Sequence, residues 1–128
     1  MKFKTTRIEE EYSELQDKNA QLHALLVMLD GYTRAKFSKE IVLTHLFRTP
    51  EEQVSLYAAT EPSKRPAKSP HQSWEAVDLR STTFTEAEHK DMCDMLNKTY
   101  KNKNAKPVAF VHAIAGGAPH FHIQVLLS

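Results

Sequence analysis

The segment His120-Phe121-His122-Ile123-Gln124-Val125 places two histidines one residue apart in a run of β-forming side chains. Alternate side chains of a strand share a face, so both imidazoles point the same way. Earlier in the chain, Ser69-Pro70-His71-Gln72-Ser73-Trp74-Glu75-Ala76-Val77-Asp78 supplies another imidazole and a carboxylate. Imidazole nitrogen and carboxylate oxygen are zinc ligands, and three such donors leave a tetrahedral ion one open position. Zn2+ held in that way lowers the pKa of a bound water to about 7 and polarises a carbonyl. His71, Asp78 and His122 are therefore the candidate metal ligands. A lone histidine is more often a surface or hydrogen-bonded residue. The spacing, taken with the closing His–x–His strand, is what favours a metal.

These residues need a scaffold that gathers a loop, a strand and the C-terminal strand. Glu40 to Phe47 is apolar and β-branched and reads as a strand. Thr49-Pro50-Glu51-Glu52 opens a helix, with Thr49 as N-cap, Pro50 in the first turn and Glu52 closing a capping box. That helix is expected to reach about Ala59. Glu61 to Ser73 reads as loop, restricted by Pro62, Pro66 and Pro70. Ala76 to Arg80 is a short strand, and Thr85-Glu86-Ala87-Glu88 caps a further helix ending near Tyr100. Pro107 to Ile114 and His120 to Leu127 read as a hairpin around Ala115-Gly116-Gly117-Ala118.

Upstream, Thr6-Arg7-Ile8-Glu9 has the capping-box pattern. Ile8, Tyr12, Leu15, Asn19, Leu22, Leu26 and Leu29 follow at alternating spacings of four and three, with Gly31 expected to end the helix. One reading is a homodimer helix with Asn19 setting register. The other lays an amphipathic helix on the domain's own sheet. About three heptads are the lower limit for a coiled coil, which favours the second. Residues 1–33 thus form an N-terminal helix and 40–127 a core, in one α+β domain with a small antiparallel sheet and flanking helices.

The chain has 128 residues, enough for one core. Its 41% hydrophobic and 26% charged residues place it among globular proteins rather than disordered ones. A net charge of +1 provides no field to hold nucleic acid or an anionic membrane. Lys64, Arg65, Lys68, Lys98, Lys101 and Lys103 lack the clustered face and interleaved aromatics of a nucleic-acid binder. Cys93 is the only cysteine, which excludes an intrachain disulfide and a cysteine-rich zinc knuckle. No signal peptide is legible at the N-terminus, and Ala24 to Leu29 is too brief to span a bilayer. Synthesis in a cytosol is expected, with a partner pore needed to reach any target in the cell wall.

The order of these motifs resembles the zinc D-Ala-D-Ala carboxypeptidases and the phage L-alanyl-D-glutamate endopeptidases, which share the Hedgehog/DD-peptidase fold. Leu43-Thr44-His45-Leu46-Phe47-Arg48-Thr49 resembles their first motif. Ser69 and His71, then Ala76, Val77 and Asp78, resemble the second, and His122 resembles the third ligand. The match spans about residues 40–126. The resemblance implies hydrolysis of a short peptide bond in a peptidoglycan stem peptide. It implies that Arg48 binds substrate carboxylate or oxyanion charge and that Ser69 hydrogen-bonds substrate.

The chain departs from that pattern at several positions. Many relatives carry an acid three residues before the last ligand, as general base, and Pro119 stands there. A base needs a pKa near neutrality and hydrogen-bond reach, which leaves His120 and, on the facing strand, His112 as candidate catalytic residues. Glu75 falls on the other face of its strand by alternation. Trp74 and Leu46 replace small residues, and their bulk is expected to narrow the cleft. A zinc-binding module without catalysis, structural or interacting, is the alternative that Pro119 supports.

Overall fold

The computed structural model describes residues 1–65, 68–112 and 118–127. Its elements are β1 (Lys2–Phe3), α1 (Thr6–Lys18), α2 (Ala20–Phe37), β2 (Val42–His45), α3 (Pro50–Leu56), β3 (Ala76–Arg80), α4 (Glu86–Thr99), β4 (Ala109–His112) and β5 (His120–Gln124). The strands form one sheet in the order β1-β2-β3-β5-β4. The architecture is α+β, and the sheet is mixed rather than wholly antiparallel, because β1 runs parallel to β2. Two residues show no alternation, which is why β1 is invisible in the sequence. The expected Gly116-Gly117 turn and Pro66 lie outside the described residues.

Side-chain alternation divides the sheet into two faces. Val77 and Leu79 of β3, Phe121 and Ile123 of β5 and Ala109 of β4 are buried in the hydrophobic core beneath the helices. Their neighbours Asp78, His120, His122 and Gln124 occupy the opposite face. Register joins these strands: Asp78 faces His122, Arg80 faces His120, and His122 faces Phe110. The same alternation therefore builds the core and the polar site back to back.

The N-terminal apolar seam belongs to that core. Leu15, Leu22, Leu26 and Leu29 are fully buried, and Ile8 nearly so. Each such side chain contributes about 1.5–3 kcal/mol when fully buried. The stripe that could zip two copies together is thus covered within the chain. The single expected helix is two, divided at Asn19, whose φ of −156° is not helical. Asn19 Oδ1 accepts from Leu22 N and starts α2, while its Nδ2 donates to Trp74 O and Val125 O. Asn19 serves as a cap and a tie to the sheet within the chain.

The remaining boundaries follow from capping. Thr5, rather than Thr6, caps α1 by accepting from Ile8 N. Gly31 lies inside α2, where a Cβ would meet nothing within 4 Å, so it imposes no end. The helix stops at Ser38, which adopts the left-handed conformation. Capping boxes at Thr49 and Thr85 start α3 and α4 as their sequences predict. The helix after Pro50 ends at Leu56, short of Ala59. The Pro-rich loop contains short 3-10 turns at Pro62–Lys64 and Pro70–Ser73. Among the described residues no helix is long and apolar enough to cross a membrane.

Candidate metal centre

His71, Asp78 and His122 converge. Each is buried, at 3%, 4% and 6% exposure, and each offers a ligand atom within 4.8 Å of the others. Asp78 and His122 are cross-strand neighbours, with Asp78 Oδ1 2.9 Å from His122 Nδ1. His71 arrives from the 3-10 turn, placing Nε2 3.3 Å from Asp78 Oδ2. The turn is fixed by a capping box between Ser69 and Gln72 and by the bond from Arg48 N to His71 O. A loop residue and two strand residues thereby meet at one point.

The outer nitrogens define which atoms face inward. His71 Nδ1 lies 2.9 Å from Leu46 O. A carbonyl only accepts, so this nitrogen carries the proton and Nε2 turns its lone pair towards Asp78. His122 Nε2 lies 3.1 Å from Gln124 Oε1. The Gln124 amide is oriented because its Nε2 donates to Pro107 O at 3.0 Å. His122 Nε2 is therefore the donor, and Nδ1 faces Asp78. In these tautomers two imidazole lone pairs face one carboxylate, an arrangement satisfied by a bound cation or by a proton on an imidazole. Outer-nitrogen acceptors of this kind fix ligand tautomers in metal sites. The donor set fits zinc with a fourth position open.

Burial alone would raise the Asp78 pKa, but the bonds with His122 and His71 outweigh it and hold the carboxylate well below its usual range. Asp78 is thus a charged carboxylate at neutral pH.

The site opens on a cleft of about 530 Å³ lined by residues including His45, Arg48, Asp78 and His120. Arg48 is 9% exposed, so it is a buried guanidinium and not a surface charge. Its Nη1 donates to Gln53 Oε1 at 2.8 Å and to Ser69 Oγ at 3.1 Å. Burial lowers its pKa against the attraction of Asp78. Ser69 Oγ also accepts from His71 N, which leaves its own O–H free to donate. Arg48 and Ser69 are thus hydrogen-bonded neighbours beside His71.

His120 lines the cleft, whereas His112, its cross-strand partner, lines a smaller cavity of about 170 Å³ with Phe110, His122 and Gln124. The His112 and His122 ring centroids are 6.0 Å apart. Burial lowers the His112 pKa, keeping it neutral near physiological pH. Glu75 lies away from the ligands, where its Oε2 accepts from Leu127 N at 2.6 Å. Trp74 does not line the cleft. It adopts a left-handed backbone and stacks on Phe47 with centroids 4.8 Å apart. The Trp74 bulk therefore leaves the cleft open, whereas Leu46, packed into the core, also lines the cleft.

Three contributors escape a reading of the sequence. Gln124 orients His122, a role that requires knowing its partner on the same strand. Arg7 forms a fork with Glu52, at 2.7 and 2.8 Å, and bonds Glu11 at 2.8 Å, building the far wall of the cleft. His45 approaches Asp78, with Nδ1 3.8 Å from Oδ2, and its ring meets that of His120 edge-on at 5.1 Å. Burial lowers the His45 pKa, opposed by the Asp78 charge. No family model, curated protein or solved structure matches this chain.

Proposed function

We propose that this chain is a zinc-dependent peptidase of the Hedgehog/DD-peptidase type, cleaving short peptide bonds in peptidoglycan stem peptides as a carboxypeptidase or endopeptidase. The observation that carries this reading is the buried His71–Asp78–His122 group, whose inward lone pairs are fixed by Leu46 O and Gln124 beside an open cleft. When bound there, zinc supplies Lewis acidity and an activated water.

The chain's own residues supply the rest. Arg48 presents a buried guanidinium at the cleft, suited to a substrate carboxylate or to oxyanion charge. Ser69 donates its free hydroxyl to substrate. His120, within the cleft, accepts or returns a proton at a ring nitrogen, and His112 stands behind it as a neutral imidazole.

One observation favours a zinc module without catalysis. Pro119 replaces an acid, and its carbonyl is taken by Ser81 Oγ at 2.7 Å, so the backbone there serves the fold. The two readings separate in one assay. Zinc-loaded protein is incubated with peptidoglycan and with short stem peptides, and the products are resolved by mass spectrometry. Cleavage is expected in the wild type and lost in His71→Ala and His122→Ala. Arg48→Lys is expected to lose about 10²–10³-fold in kcat, the scale of one oxyanion donor. Intact substrates with fully loaded wild type would sink the peptidase reading and favour the binding module.

A further inference from the structure

We propose that His45 and His120, with Asp78 as a shared carboxylate, form a second divalent-cation site on the cleft side of the first. The inference rests on Asp78 belonging to the first centre, and it concerns residues with no ligand role in that centre. His45, Asp78 and His120 each offer a ligand atom within 4.8 Å of the others.

Strand register shows how His45 reaches this position. Leu43 pairs with Leu79, so unbroken antiparallel pairing would put His45 opposite Val77, with its side chain on the core face. Instead the register shifts between Leu43 and His45, and His45 pairs with Asp78. An inserted residue of this kind re-aims a side chain. Thr44 Oγ1 donates to Asp78 O at 3.2 Å and ties the shifted segment down. The fold departs from regular pairing at the one place that delivers another imidazole to Asp78.

The ligand chemistry suits an ion. Two imidazoles and a carboxylate make a three-donor set that leaves a position open. His45 Nδ1 and His71 Nε2 both approach Asp78 Oδ2, at 3.8 and 3.3 Å, so this carboxylate would bridge the two ions, as in paired sites where the metals lie about 3.5–4 Å apart. The His45 side chain is 46% exposed and the group lines the open cleft, so an ion can enter and leave. Packing of two rings edge to edge explains the 5.1 Å contact, but it does not explain why both rings gather at a buried carboxylate.

The second ion binds more weakly than the first. One carboxylate then answers two dications. Among the described residues, neither His45 nor His120 has an acceptor like Leu46 O or Gln124 holding its second nitrogen. Loss of such acceptors costs about 10–100-fold in affinity, which sets the expected gap between the two sites. With His120 serving as a ligand, proton handling falls to His112.

The test is a titration of the metal-free full chain with Zn2+ and with Co2+, followed by calorimetry and metal analysis. Two equivalents are expected in the wild type, the second about 10–100-fold weaker. His45→Ala and His45→Asn should each keep the tight equivalent and lose the weak one, with unchanged melting of the metal-free protein. His71→Ala should lose the tight one. Two Co2+ ions should couple magnetically in the wild type and not in His45→Asn. A single equivalent, lost in His71→Ala and unaffected in both His45 variants, would overturn the second site and leave the first standing. An equivalent lost with His45 but kept in His71→Ala would overturn the first assignment and support this one. No binding at all would overturn both.

Discussion

Gln124 holds His122 in place: its Oε1 accepts the Nε2 proton at 3.1 Å, while its own amide is pinned to Pro107 O. The residue sits two positions along the same strand and faces the same way, so one strand supplies both ligand and orienter. Gln124→Ala should therefore lower metal affinity about 10–100-fold, with all three first-site ligands intact. Competition against a chelator of known affinity measures this. Unchanged affinity would show that the ring is oriented by Asp78 alone.

Metal binding should stabilise the fold. The three ligands are brought together by a loop and two strands, an arrangement that the unfolded chain lacks. At a hundredfold excess of free ion over Kd, the gain is about 2.7 kcal/mol. Thermal melts with zinc and with chelator should differ in the wild type and coincide in Asp78→Ala. Equal melting of wild type in both conditions would remove the metal from the folded state.

Asn19→Ala should destabilise without changing the oligomeric state. The substitution removes a helix cap, worth about 1 kcal/mol, and leaves one buried and one partly buried carbonyl short of a donor. A total loss of about 2–4 kcal/mol is expected from these terms, read by denaturant melts. Light scattering before and after the substitution tests the other half. A change in mass would restore the reading in which Asn19 sets the register of a dimer.

Acid should weaken the cleft wall through Glu52. The Arg7 fork holds its pKa at about 2, below the ordinary carboxylate value of about 4.3. The unfolded chain then binds that proton more readily, so the stabilisation is present above about pH 4.3 and lost as pH falls towards 2. The pair is exposed, so its worth is at most about 1 kcal/mol. Glu52→Gln should flatten this part of the stability–pH curve. Identical acid limbs for variant and wild type would place the dependence elsewhere, with Asp78 the first candidate.

Much of the scaffold is legible because its signals are local. Thr49 and Thr85 announce α3 and α4 through side chains that bond three residues away. The Ala76–Arg80 strand appears with the bounds its residue types suggest. The histidine pair of the last strand is legible for a similar reason, since strand alternation alone puts His120 and His122 on one face. Burial of Arg48 is not legible: its neighbours Gln53 and Ser69 come from a helix and a loop that meet only in the fold.

The amino-acid sequence by itself determined the ligand types, the faces of the strands and the starts of the helices, because each depends on spacing within a few residues. Tertiary structure decided what depends on register and on distant partners. It divided the N-terminal seam at Asn19, because that side chain finds carbonyls at Trp74 and Val125. It oriented His71 through Leu46 and His122 through Gln124. It also carried His45 to Asp78 by shifting one strand by one residue, a step that side-chain alternation forbids in regular pairing and that no local pattern in the chain announces.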